Sequence, residues 1–199
     1  MIKKYGIWGA FRLSINLVLT KIFFPNARII RFPFDIRNKR FIQIASGMTT
    51  GIGCRIEAFP HELKEEGIFI SIGKNFQMND YVHIAAVEKI TIGENVLIAS
   101  KVFITDCAHG NYGGGGIHSH PDEPPANRKW ISKPVIIRDN VWLGEFVSVL
   151  PGVTIGKGTI VGSNSVVSKS LPDHVIAVGS PARPIKKFNF ESNTWEKIV

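Results

Sequence analysis

Apolar residues recur at every sixth position from Ile137 onward, at Ile137, Leu143, Val149, Ile155, Val161 and Val167, and glycine follows three of them, at Gly144, Gly156 and Gly162. Positions six apart lie about 240° apart around a helix and share no face, whereas six is a multiple of the two-residue period of a strand. A helix is excluded there. The residues four after each aliphatic position, Val141, Val147, Val153, Thr159 and Ser165, have the same parity and are small or β-branched, as the inside of a narrow coil requires. The pattern predicts short strands, turned every six residues and stacked as a parallel β-helix in which each coil buries its inward row against its neighbours.

The same spacing is present upstream. Ile44, Thr50 and Ile56 keep it, a polar excursion from Glu57 to Gly67 interrupts it, and Ile72, Met78 and Ile84 resume it. After a two-residue slip at Val87 to Lys89, Ile92, Ile98 and Ile104 follow. From Thr105 to Pro134 no period remains; this stretch holds the glycine run Gly113 to Gly116, the prolines Pro121, Pro124 and Pro125, and His109, His118 and His120. A long irregular segment inside a regular body is usually functional or disordered. The register then runs to about Val178, and the prolines of Leu171-Pro172 and Gly179-Ser180-Pro181 close it. The expected fold class is all-β. A β-helix domain over residues 41–187 carries the inserted loop 105–134, with a basic helical segment, residues 1–40, before it and a tail, residues 188–199, folding back over the last coils.

Residues 7 to 24 can form a helix with Ile7, Phe11, Ile15, Val18, Leu19, Ile22 and Phe23 on one broad side, suited either to capping the open end of the β-helix or to lying on a membrane face. Arg12, Asn16 and Lys21 interrupt this run and no small-residue cleavage site follows it, so neither a signal peptide nor a membrane span is expected. At 199 residues and 44% hydrophobic, the chain is long enough to bury a sizeable core. Cys54 and Cys107 are its two cysteines, which implies no disulfide framework and favours the cytoplasm. The formal charge of +8, gathered toward the two ends, calls for an anionic partner. No nucleic-acid module is present in the sequence, which leaves an anionic membrane face or a polyanionic small molecule.

The segments Val141-Trp-Leu-Gly-Glu, Val149-Leu-Pro-Gly-Val-Thr-Ile-Gly, Val161-Gly-Ser-Asn-Ser-Val-Val and Val178-Gly-Ser-Pro-Ala-Arg closely resemble the hexapeptide-repeat acyltransferases, over residues 68 to 187. The galactoside and maltose O-acetyltransferases are similar, and the sugar O-acetyltransferases of lipopolysaccharide O-antigen or capsule assembly more so. The resemblance implies a left-handed coil, a homotrimer with active sites at subunit interfaces, acetyl-CoA as co-substrate, a saccharide acceptor and direct transfer. N-acetylation of an amino sugar and a non-catalytic scaffold are the alternatives.

His109, in Thr105-Asp-Cys-Ala-His-Gly, is the candidate general base, because acetyl transfer to an alcohol requires removal of the hydroxyl proton and a neutral imidazole can accept it near neutral pH. The resemblance matches its place. Asp106 is expected either to orient the ring or to form a loop turn. Cys107 offers a competing covalent chemistry, and His118 and His120 raise a zinc site; the resemblance argues against the first, their setting on a glycine-rich loop against the second, and no metal is expected. By resemblance, the Glu145 amide meets the oxyanion and Trp142 walls the thioester. Asn79, with neighbouring Asp80, Tyr81 and His83, is expected at the acceptor, although Ala85, Ala86 and Val87 stand where the galactoside enzymes carry carboxylates. Gly144, Ser163, Ser168 and Lys169 would line the CoA groove, and Arg183, with Lys186 or Lys187, would meet its phosphates.

Overall fold

The computed structural model describes residues 2–60, 66–113 and 116–198. Residues 61–65 of the first excursion and Gly114 and Gly115 of the glycine run lie outside the described residues. The body is a parallel β-helix with three faces. The first face stacks Ile42–Ile44, Ile70–Ile72, Ile90–Ile92, Val135–Ile137 and Thr154–Ile155. The second stacks Thr49–Thr50, Gln77–Met78, Leu97–Ile98, Trp142–Leu143, Ile160–Val161 and Val175–Gly179. The third stacks Phe34–Arg37, Cys54–Ala58, His83–Ala86, Phe103–Thr105, Ser148–Val149 and Val166–Val167. Each coil visits the faces in that order, so 18 residues complete a turn of three hexads wherever the spacing is unbroken, as from Ile137 to Ile155 in adjacent strands of the first face.

The sixfold residues point inward. Ile137, Leu143, Val149, Ile155, Val161 and Val167 are at most 1% exposed and belong to a single core cluster with the upstream rows. The intervening inward row is also buried, and its two polar members are paired: Thr159 Oγ1 donates to the Pro172 carbonyl at 2.7 Å and Ser165 Oγ accepts from the Gly179 amide at 3.0 Å. Glycine follows the aliphatic residue because the coils close up there. A Cβ at Gly144 would sit 2.6 Å from the Ser163 nitrogen, and one at Gly156 would sit 2.3 Å from the Asp173 nitrogen. Asparagine takes the left-handed turn position at Asn75, Asn95, Asn140 and Asn164, a conformation its short side chain tolerates.

Two irregular stretches gain definite structure. The break from Thr105 to Pro134 contains an antiparallel hairpin, Cys107–His109 against Trp130–Ser132, so it is not structureless. After Gly179 the chain reverses. Ala182–Asn189 runs antiparallel to Val175–Gly179, and Thr194–Lys197 pairs with it, so the last coil ends before residue 187 and the tail extends the second face as a hairpin.

The helix α1, Ile2–Phe23, has non-helical backbone at Gly6 and continues from Ile7 as one regular run. It packs on the segment leading into the first coil: Thr20 Oγ1 accepts from the Ile30 amide at 2.8 Å and Asn16 Oδ1 accepts from the Phe32 amide at 3.2 Å. Among the described residues no helix is long and apolar enough to cross a membrane.

Candidate active site

His109 is carried outward by the hairpin that leaves the edge between the third and first faces. Opposite it in register stands Trp130, whose indole N–H donates to His109 Nδ1 at 3.2 Å, with the rings edge-on at 5.8 Å. Trp130 in turn packs edge-on against Phe59, which closes the third-face strand of the first coil, at 5.7 Å. The loop is braced from within. Tyr112 donates to the His109 carbonyl at 2.5 Å, and Arg128 reaches the Tyr112 hydroxyl at 2.6 Å and the Glu123 and Pro121 carbonyls at 2.9 Å each. The imidazole is thus exposed but held, and an indole N–H on Nδ1 leaves the neutral ring's proton on Nε2.

Asp106 does not orient the ring. It is wholly buried, and its carboxylate accepts from the backbone amides of Val87 at 2.8 Å, Glu88 at 2.8 Å and Lys89 at 2.6 Å. Burial pushes its carboxyl above the usual carboxylate range, against the opposing pull of the three amides. These bonds explain the slip at Val87 to Lys89: the extra residues turn their amides onto the carboxylate of the coil above. Cys107 is half-buried 3.5 Å from Thr105 Oγ1, and burial pushes its thiol up, which disfavours the thiolate that covalent catalysis needs. Among the described residues no cluster of histidine, cysteine and carboxylate side chains is arranged to hold a metal ion.

The residues expected at the acceptor divide across the edge between the second and third faces. Asn79 and Asp80 share a depression with Arg28, Arg31 and Ser100, whereas Tyr81 and His83 line another with Asp35 and Arg55. Asp80 also has a structural duty, since its Oδ1 accepts from the Ile52 amide at 2.9 Å. His83 is not free for a sugar. Its Nε2 lies 2.7 Å from Glu57 Oε1, its Nδ1 lies 3.2 Å from Arg55 Nη2, and its ring rests 5.2 Å from Phe103. Guanidinium donation to Nδ1 places the ring proton on Nε2, facing the carboxylate. Burial first, then the charge of Arg55, lowers the His83 pKa against the bond from Glu57, which is consistent with that neutral ring.

The second face carries a feature that no single hexad announces. Strand register aligns Gln77, Leu97, Trp142, Ile160 and Ile176 and continues into the terminal hairpin at Lys186 and Lys197. These residues share the outer side, so an apolar ladder ends in two ammonium groups. At about 4.8 Å per strand, Lys186 lies about 14 Å beyond Trp142. Trp142 is 48% exposed. Beside it, Gly144 and Glu145 turn the corner toward the third face, and the Glu145 N–H has no acceptor among the described residues. Ser163 lies one coil further on the same corner. Ser168 and Lys169 are exposed on the edge from which the His109 hairpin departs, and Arg183 is exposed at the start of the terminal hairpin. One chain therefore sets His109, Ser168 and Lys169 along one edge, and Trp142, Glu145, Ser163 and the ladder across the second face and its corner with the third.

Residues 134–169 match the family model described as bacterial transferase hexapeptide (six repeats). Over 195 residues, 98% of this chain and 96% of the relative, the sequence is 48% identical to WbbJ of Escherichia coli (strain K12), a protein assigned to lipopolysaccharide biosynthesis as an O-acetyl transferase. The chain belongs to the hexapeptide-repeat acetyltransferases. Their coil is left-handed, and this acetyltransferase shares it. A galactoside acetyltransferase in complex with coenzyme A superposes with a TM-score of 0.52 at 28% identity, covering 83% of this chain and 72% of that one. AntD, an N-acyltransferase from Bacillus cereus, superposes with a TM-score of 0.67 at 23% identity over 88% of this chain and 90% of that one, a likeness of fold.

Proposed function

We propose that this acetyltransferase moves an acetyl group from acetyl-CoA to a sugar hydroxyl of lipopolysaccharide or its precursor, in the cytoplasm, with His109 as general base and with each site completed by a neighbouring copy in a homotrimer. The observation that carries the reading is the second-face ladder. A partly exposed apolar track from Trp142 through Ile160 and Ile176 suits a pantetheine arm, and Lys186, Lys197 and nearby Arg183 suit its phosphorylated end. The separation of His109 from this track supports the trimer, since a second copy can bring the edge of one body against the second face of the next. Ser168 and Lys169, on the His109 edge, would then face the same groove from the other side.

In the proposed reaction the acceptor hydroxyl displaces the Trp130 indole from His109 Nδ1 and passes its proton there as the oxygen attacks the thioester carbon. The Glu145 N–H receives the oxyanion. As the intermediate collapses, the carbon–sulfur bond breaks, and the thiolate takes the proton back from the imidazolium to leave as the CoA thiol. Asn79 and Asp80 hold the acceptor, and Trp142 packs beside the thioester.

Matched acceptors test this. Acetyl-CoA and sugars that differ only in a hydroxyl or an amino group at one position are to be incubated with the enzyme and the products mapped by mass spectrometry. A base-labile ester on the hydroxyl is expected. Acetylation confined to the amine would replace this reading by N-acetylation.

A further inference from the structure

Helix α1 carries apolar residues on its outer side that the body does not cover. From Ile7 to Phe23, at about 100° per residue, Ile7, Trp8, Phe11, Ile15, Val18 and Ile22 fall within an arc of about 100°. That arc faces away from the protein. The six residues are 75%, 82%, 59%, 43%, 60% and 63% exposed in chain order. The opposite side, which meets the body, holds Ala10, Leu13, Asn16 and Thr20, and the last two are spent on hydrogen bonds to the lead-in segment. Two buried polar groups and the small Ala10 thus form the attachment, and the outer apolar stripe is left over.

The charge around the stripe identifies what it meets. Arg12 and Lys21 flank it on either side, both exposed, and Arg28 is exposed just beyond the helix. The first acidic residue of the chain is Asp35, after Lys3, Lys4, Arg12, Lys21, Arg28 and Arg31. A second copy of this helix would bring like charges together along both flanks with no carboxylate to answer them. A bilayer surface with anionic headgroups accepts both the stripe and its cationic margins, and an indole such as that of Trp8 favours the headgroup level. We propose that α1 binds such a surface, lying flat with Trp8, Phe11, Ile15, Val18 and Ile22 among the headgroups and Arg12 and Lys21 on lipid phosphates. The helix attaches to the body beside the first coil, so the β-helix would be held at the membrane by its N-terminal end. This inference is independent of the acetyl-transfer chemistry.

The test is flotation of the intact protein with phosphatidylcholine vesicles that contain or lack phosphatidylglycerol, at low and high salt. Association with the anionic vesicles at low salt is expected, weakened roughly tenfold by high salt or by omission of the anionic lipid. The exposed-stripe variant Phe11→Glu/Ile15→Glu and the flank variant Arg12→Glu/Lys21→Glu are expected to lose flotation while melting at the wild-type temperature and acetylating a soluble acceptor normally. Failure of the wild type to float, flotation untouched by both variants, or equal binding to neutral vesicles would overturn the proposal. So would a stripe variant that changes the sedimenting mass of the protein, which would assign the face to another copy.

Discussion

Asp106 and His109 lie three residues apart and do unrelated work. The carboxylate is consumed by three amides of the coil beneath it, and the imidazole is held by an indole that arrives from 21 residues further along the chain. The sequence context predicts that His109 leaves the coils, because its loop follows a broken register, and the hairpin carries it outward. It could not reveal Trp130, whose position depends on antiparallel pairing across the loop, nor the Glu57 and Arg55 partners that occupy His83. Asp106→Ala leaves three amides without an acceptor in a buried site and is expected to lower unfolding free energy by about 3 kcal/mol in urea. Residual turnover should keep its pH profile. Wild-type stability with a displaced profile would return Asp106 to an orienting role.

At the level of elements, the inward rows are legible from sequence because strand parity is two and six is a multiple of it. What faces outward is less legible. The ladder from Leu97 through Trp142, Ile160 and Ile176 to Lys186 and Lys197 needs the coil register, with its 18-residue step, and also the terminal reversal that the sequence suggests only as a tail folding back. The reversal converts two scattered lysines into the charged end of an apolar track. Lys186→Glu/Lys197→Glu should therefore raise KM for acetyl-CoA by about 10- to 100-fold with kcat little changed, a loss of ground-state binding measured by steady-state kinetics. An unchanged KM would remove the hairpin from the donor site.

Across the whole molecule, the +8 charge gathers in two places: basic residues at the terminal hairpin, beside the proposed donor track, and those of the N-terminal segment, beside an outward apolar stripe. The β-helix connects them, with His109 on the edge between the third and first faces and Glu145 at the corner between the second and third, and the proposed trimer would bring these two positions of neighbouring copies together. The measurement that bears most directly on this account is acetyl-CoA consumption with an accepted sugar by His109→Ala, paired with the thermal shift that CoA gives the same variant. Turnover should fall by about 10²- to 10⁴-fold while CoA stabilises the variant as it does the wild type. Retained turnover with intact CoA binding would contradict the assignment of His109 as the base.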